Sequence, residues 1–171
     1  MERRFHRTFC GRPEGRKNVM KREGRGMIRK LEQADLEAVM EIWLSSNLEA
    51  HDFVPAEYWM EHYGQVKELL PKARCFVFEG ESGRIEGFIG LTRNHVAGLF
   101  VKREARSKGT GRRLLSYAKG LCPELTLHVY EKNRRAVCFY LREGFEIHRT
   151  AAGEPACERE FLMAWHGEKG C

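Results

Sequence analysis

The 171-residue chain has no apolar run long enough to cross a membrane. No secretory signal is expected, because the early charges are not followed by an apolar stretch. It has six cysteines, at 10, 75, 122, 138, 157 and 171, but no Cys-x-x-Cys pair. Neither a metal site nor a redox pair is therefore expected. Cys75, Cys122 and Cys138 sit within apolar patterns, where the thiol packs as a small hydrophobe. That usage predicts a reducing, cytoplasmic setting. Net charge is missing too, once the first 26 residues are set aside. Residues 27–171 hold 21 basic and 21 acidic side chains, and the whole +6 lies in residues 1–26. A neutral domain argues against nucleic acid as a partner, since such binding needs a basic face.

Residues 1–26 carry nine Lys/Arg against three Glu, with glycines at 11, 15, 24 and 26. The expectation is a disordered basic leader ahead of a single domain over 27–171. Lys21-Arg22-Glu23-Gly24 reads as a translated purine-rich ribosome-binding sequence, with Met27 as the true start. Native protein beginning at Met1 would overturn that hypothesis. The rival is a nucleic-acid-binding arm, which would show steep salt dependence lost on deleting residues 1–26.

Met27 to Leu31 alternates as a short strand. Leu36, Val39, Met40, Trp43 and Leu44 recur at helical spacing, predicting a helix over 34–48. Pro55 suits the first turn of a second helix with Trp59, Tyr63, Val66 and Leu70 on one face, stopped at Pro71. Strands follow at 75–78 and 85–91, joined by a turn at 80–83, and again at 95–101. A third helix uses Leu114, Leu115, Ala118 and Leu121 and ends before Pro123. Residues 125–130 alternate strictly, with Leu125, Leu127 and Val129 on one face and Thr126, His128 and Tyr130 on the other. Asn133 caps a fourth helix with Ala136, Val137, Tyr140 and Leu141 inward, ended by Gly144. Strands at 145–149 and 160–165 close the chain around a loop containing Gly153 and Pro155. The order β-α-α-β-β-β-α-β-α-β-β predicts an α/β fold with a mixed sheet and helices on both faces. The unit over 95–130 requires one parallel pair with a right-handed crossover.

Residues 99–112 carry the strongest chemical signal: a strand end, a basic loop, then Gly109 and Gly111 opening a helix. Free backbone N–H groups and the positive helix end converge there, joined by Arg106, Lys108 and Arg112. Such a site suits a phosphate-bearing ligand. A nucleotide-triphosphate loop would need Gly-x-x-x-x-Gly-Lys-Ser/Thr, which is absent. A dinucleotide fingerprint would need a small residue where Leu114 stands, in an early βαβ unit.

Arg106-x-x-Gly109-x-Gly111 after Val101, followed by Asn133-x-x-Ala136-x-x-Phe139-Tyr140-x-x-x-Gly144-Phe145, resembles the GNAT superfamily of acyl-CoA-dependent N-acetyltransferases. The likeness covers residues 27–165. Ala50-His51-x-Phe53-Val54-x-x-x-Tyr58-Trp59 is similar to a subgroup of small bacterial members. Arg103 stands where many relatives carry proline.

The resemblance implies a mostly antiparallel sheet with one splayed parallel pair, and acetyl-CoA as donor substrate without a metal. It implies that Ser107, Lys108, Gly109, Thr110, Gly111 and Arg112 hold the pyrophosphate with Arg106. The pantetheine arm would run along Leu99, Phe100 and Val101 like an added strand and meet Asn133. Tyr140 would protonate the departing thiolate. His128 occupies a strand position where some members carry a glutamate base. His51, Phe53, Tyr58 and Trp59 would line the acceptor pocket, with His51 the alternative base, while Glu131 would face solvent. A lysine amine with a pKa near ~10.4 is almost wholly protonated at neutral pH, so a base or a water path to one is required. The implied reaction is direct attack of a primary amine on the thioester in a ternary complex. The acceptor is a protein lysine, an N-terminus or a small amine, and the enzyme a monomer or homodimer. The rival is a non-catalytic acyl-CoA-binding module that regulates a protein partner.

Overall fold

A computed structural model describes residues 26–153 and 158–167. The leader up to residue 25, Pro155, and Cys10, Cys157 and Cys171 lie outside the described residues. Seven strands form one sheet: β1 (Met27–Lys30), β2 (Arg74–Glu79), β3 (Ile85–Thr92), β4 (His95–Val101), β5 (Glu124–Tyr130), β6 (Glu146–Ala152) and β7 (Arg159–His166). Their spatial order is β1-β2-β3-β4-β5-β7-β6. Only the β4–β5 pair is parallel. The helices are α1 (Leu36–Ala50), α2 (Ala56–Leu69), α3 (Thr110–Leu121) and α4 (Arg134–Arg142).

Two apolar cores sandwich the sheet. On one face α3 and α4 press Leu114, Leu115, Ala118, Val137 and Tyr140 onto Ile89, Leu125, Leu127 and Met163. On the other, α1 and α2 press Val39, Met40, Trp43 and Trp59 onto Val77, Phe88 and Tyr130. β5 shows why its alternation matters: Leu125, Leu127 and Val129 enter the first core, and Tyr130 enters the second. Thr126 and His128 share the face of Tyr130, but Thr126 is only half-buried and His128 is exposed.

Helix α1 begins two residues later than the spacing predicts, because a 3-10 turn at Gln33–Asp35 precedes it. Asp35 fixes this start. Its carboxylate accepts from Glu32 N–H at 2.9 Å and is held by Arg29 at 2.6 and 2.9 Å. Leu121 is a correction: at the last residue of α3 it is 39 % exposed, beyond the turns that meet the sheet. The strand expected from residue 145 begins at Glu146 and runs on to Ala152. Phe145 is instead a core residue at the turn after Gly144, whose φ is +85°.

The site depends on how β4 leaves β5. Their register holds only at His95↔Thr126 and Val96↔Leu127. On its other edge, β4 inserts one extra residue against β3 between the pairs Leu91↔Val96 and Gly90↔Gly98. A bulge of this kind bends the strand. Gly87 admits the bent strand: a Cβ there would lie 2.7 Å from Phe100 O.

Candidate active site

Beyond Val96 and Leu127 the parallel strands part, and an open cleft of about 680 Å³ enters between them. One wall is Leu99, Phe100 and Val101; the opposite wall is Asn133, Ala136, Phe139 and Tyr140 at the start and inner side of α4. Ser46, Glu49, Ala50 and His51 at the end of α1 also line it, as do Ser107, Gly109, Gly111 and Arg112 of the glycine loop.

The loop has the backbone of an anion site. Ser107 and Gly109 both take left-handed φ values, +60° and +95°. For serine that conformation costs about 1 kcal/mol. The first N–H of α3 to bond back is that of Arg113, to Gly109 O at 3.0 Å. The N–H groups of Thr110, Gly111 and Arg112 are therefore left without intrahelical acceptors. Together with the positive helix end they favour a diphosphate. Thr110 is itself buried and Lys108 exposed, and neither side chain lines the cleft.

Arg106 borders the cleft, its guanidinium donating to Val101 O at 2.9 Å and pairing with Glu49 at 2.6 Å. Its charge is matched by Glu49, and it ties the loop to α1 and the end of β4. Further positive charge comes from α4, where Arg134, Arg135 and Arg142 line the cleft with Arg112. The sequence carried a signal for these. Two arginines in the first turn of a helix oppose its dipole, an arrangement that an anion in front of them would relieve.

Asn133 does two jobs. Its Oδ1 accepts from Ala136 N–H at 3.2 Å, capping α4. That orients Nδ2 toward His51 Nε2, 3.3 Å away, so the imidazole lone pair on that nitrogen is taken. His51 is held below its ordinary pKa chiefly by burial, partly offset by the carbonyl of Asn47. Its ring stacks on Trp59 at 5.3 Å and meets Tyr130 at 5.2 Å and Phe53 at 5.7 Å. His51 is thus an aromatic-cluster residue of the cleft wall, poorly suited as a base. Trp59 is 9 % exposed and packs on Trp43, so it belongs to the α1–α2 core. Phe53 packs on Tyr130 and Tyr58 on Trp59 and His62; neither lines the cleft. Glu131 pairs with Arg159 at 3.2 Å.

Tyr140 is 7 % exposed, its ring between Phe139 and Phe145, and it borders the cleft. Burial raises its pKa well above the ordinary phenol value, so it stays protonated at neutral pH. His128 does not line the cleft. It stands on the exposed sheet face next to His95, with the two rings 5.1 Å apart.

An acetyltransferase (GNAT) domain model matches residues 71–147. Over 141 residues the chain is 33 % identical to the peptidyl-lysine N-acetyltransferase YiaC of Escherichia coli K12, spanning 81 % of this chain and 96 % of that one. The chain belongs to the GNAT family. Within it, the peptidyl-lysine N-acetyltransferase YjaB of E. coli K12 is 37 % identical over 120 residues, covering 70 % of this chain and 82 % of YjaB. The solution structure of apo YjaB superposes with a TM-score of 0.73 at 32 % identity, covering 83 % and 98 % of the two chains. The PaiA N-acetyltransferase of Thermoplasma acidophilum, solved with coenzyme A, shares the fold with a TM-score of 0.70 at 23 % identity, over 82 % and 98 %. This GNAT protein is accordingly an acyl-CoA-binding acyltransferase that acts on amines.

Proposed function

We propose that this enzyme transfers acetyl from acetyl-CoA to lysine side chains of proteins, by direct attack within a ternary complex. The observation that carries the donor half is the parting of β4 from β5 in front of the Ser107–Gly109 turn. The pyrophosphate lies on the N–H groups of the first turn of α3, flanked by Arg112, Arg134, Arg135 and Arg142. The pantetheine arm runs along Leu99, Phe100 and Val101, with Asn133 opposite. Strand N–H groups freed by the splay polarise the thioester carbonyl as a small oxyanion site.

The acceptor half rests on the relatives named as peptidyl-lysine acetyltransferases and on the uncovered sheet face beside the cleft. His128 takes a proton from the incoming ammonium, and Tyr140 protonates the departing thiolate. A phenol with a raised pKa is a weak donor in water. Burial raises the thiol as well, so the gap between them narrows. Among the described residues Cys75, Cys122 and Cys138 form no disulfide, which suits the reducing cytoplasm in which acyl-CoA is made.

CoA release should be followed with acetyl-CoA and two panels, lysine peptides and small amines such as polyamines. Lysine peptides are expected to turn over with the higher kcat/KM. Turnover confined to small amines would overturn the acceptor reading and leave the donor site intact.

A further inference from the structure

A second histidine stands behind the first. His95 Nδ1 lies 2.9 Å from Thr126 Oγ1, and its Nε2 lies 3.5 Å from His128 Nδ1. The three side chains form one line across the only parallel pair in the sheet, at the point where β4 begins to leave β5. His95 is half-buried, while His128, at the end of the line, is exposed.

The geometry points to His95 as a positioning residue that sets the tautomer of His128 and so turns its Nε2 lone pair toward the acceptor amine. This rests on the reading of His128 as the base.

Two proton arrangements satisfy the line. In one, Thr126 O–H donates to His95 and His95 Nε2–H donates to His128, leaving N–H on the outer nitrogen. In the other, His128 Nδ1–H donates to His95 Nε2, and His95 Nδ1–H donates to Thr126. Only the second can take up a proton at His128 without breaking a contact, because both N–H groups of the resulting imidazolium then have a place. It follows the logic of a base oriented by a third group. Burial, and then the neighbouring His128, hold His95 below its ordinary pKa, which keeps it neutral and able to accept.

The other titratable or charged groups on this sheet face are Glu124 and Tyr130 on β5, Glu160 and His166 on β7, and Glu146, His148 and Arg149 on β6. Leu162 separates Arg149 from His128, placing the arginine about 10 Å away at strand spacing. Glu124 lies 3.6 Å from His166. The β3 residue opposite His95 is the uncharged Thr92.

The step balances. An ammonium N–H breaks and its proton passes to His128 Nε2, then to bulk water. The freed nitrogen lone pair attacks the thioester carbon, the C–S bond breaks, and the thiolate takes the Tyr140 proton. A second nitrogen proton, shed as the tetrahedral adduct collapses, restores Tyr140 through cleft water, and the third stays on the amide.

The test uses the full chain. Two-bond 1H–15N NMR above pH 8 reads the tautomer of His128, and pH profiles of kcat/KM with a lysine peptide read its titration. His128 is expected as the Nδ1–H form. His95→Leu should return it to the Nε2–H form usual for free imidazole. The same change should lower kcat roughly tenfold, a fraction of what general-base catalysis supplies. KM for acetyl-CoA should be unchanged. His95→Gln, whose carbonyl can accept in place of Nε2, should keep the tautomer and most of the rate. An Nε2–H His128 in the wild type, or a His95→Leu variant that keeps the Nδ1–H form or the full rate, overturns the assignment. If His128→Ala itself leaves the limb in place, the base reading fails instead.

Discussion

Replacing Tyr140 by phenylalanine should make the protein slower and more stable at once. Among the described residues the hydroxyl has no hydrogen-bond partner, and burial alone accounts for its raised pKa. Leaving a hydroxyl unpaired in a protein interior costs about 1–3 kcal/mol. Here the oxygen borders the cleft, so the low end applies, about 1 kcal/mol. The ring keeps its contacts with Phe139 and Phe145, so no cavity forms. Removing the oxygen should therefore raise the melting temperature by roughly 2–4 °C for a chain of this length. As thiolate donor, the same oxygen should be worth about 100-fold in kcat. Thiol release under saturating acetyl-CoA gives the rate, a thermal melt gives the stability, and KM for acetyl-CoA should barely change. A full-rate variant would refute the acid role. A melting temperature several degrees lower would show that the hydroxyl is a structural bond rather than an idle group held for chemistry.

Three further predictions test the surroundings. Gly109→Ala forces a side chain into φ +95°, although nothing lies within 4 Å of the new methyl. It should cost about 1 kcal/mol in a denaturant melt and weaken acyl-CoA binding. Gly111→Ala meets only ordinary contacts at 3.6 Å, so it should leave stability unchanged and raise KM if the methyl faces the pyrophosphate; equal effects on both quantities would contradict that placement. Asn133→Ala removes the α4 cap and the partner of His51, and should destabilise by about 1 kcal/mol. A fall in the pKa of the His51 ring is not expected there, because an amide donor that favoured the neutral ring is gone; NMR titration reads it. Burial raises the Cys75 thiol from 9.0 to about 12 and the Tyr130 phenol from 10.0 to about 12. A folded-state pKa above the unfolded value means that stability is intact below about pH 9 and lost as pH rises toward 12. Urea melts under reductant should show about 1.4 kcal/mol lost per pH unit for each such group. Cys75→Val should flatten the first part of that loss, and an identical slope in the variant would assign it elsewhere.

The elements were legible because each is written in a local pattern. The alternation of 125–130, the helical spacing of 36–43 and the two glycines after Val101 each depend on residues near one another in sequence. That is why element order and the parallel pair follow from the chain alone. What was not legible is made by residues distant in sequence. The Arg106–Glu49 pair joins positions 57 apart and ties the glycine loop to α1. Trp59 has the spacing of both a pocket and a core residue; only the placement of Trp43 against it decides for the core. His95 gave no signal, since its meaning lies in Thr126 and His128 across a strand pair. The arginines of α4 could have been found by asking why cations open a helix.

The parting of β4 from β5 has a consequence for the economy of the cell rather than for a single turnover. In the proposed mode of binding the edge it opens is read by the arm of the donor, and that arm is the same in acetyl-CoA and in the CoA left after transfer. Product and donor then compete for one berth with nearly equal claim, separated only by the acetyl group. The rate of modification follows the ratio of acetylated to free carrier rather than the amount of either. An enzyme built on this gap acts as a gauge of that ratio, and records it on whatever amine it serves.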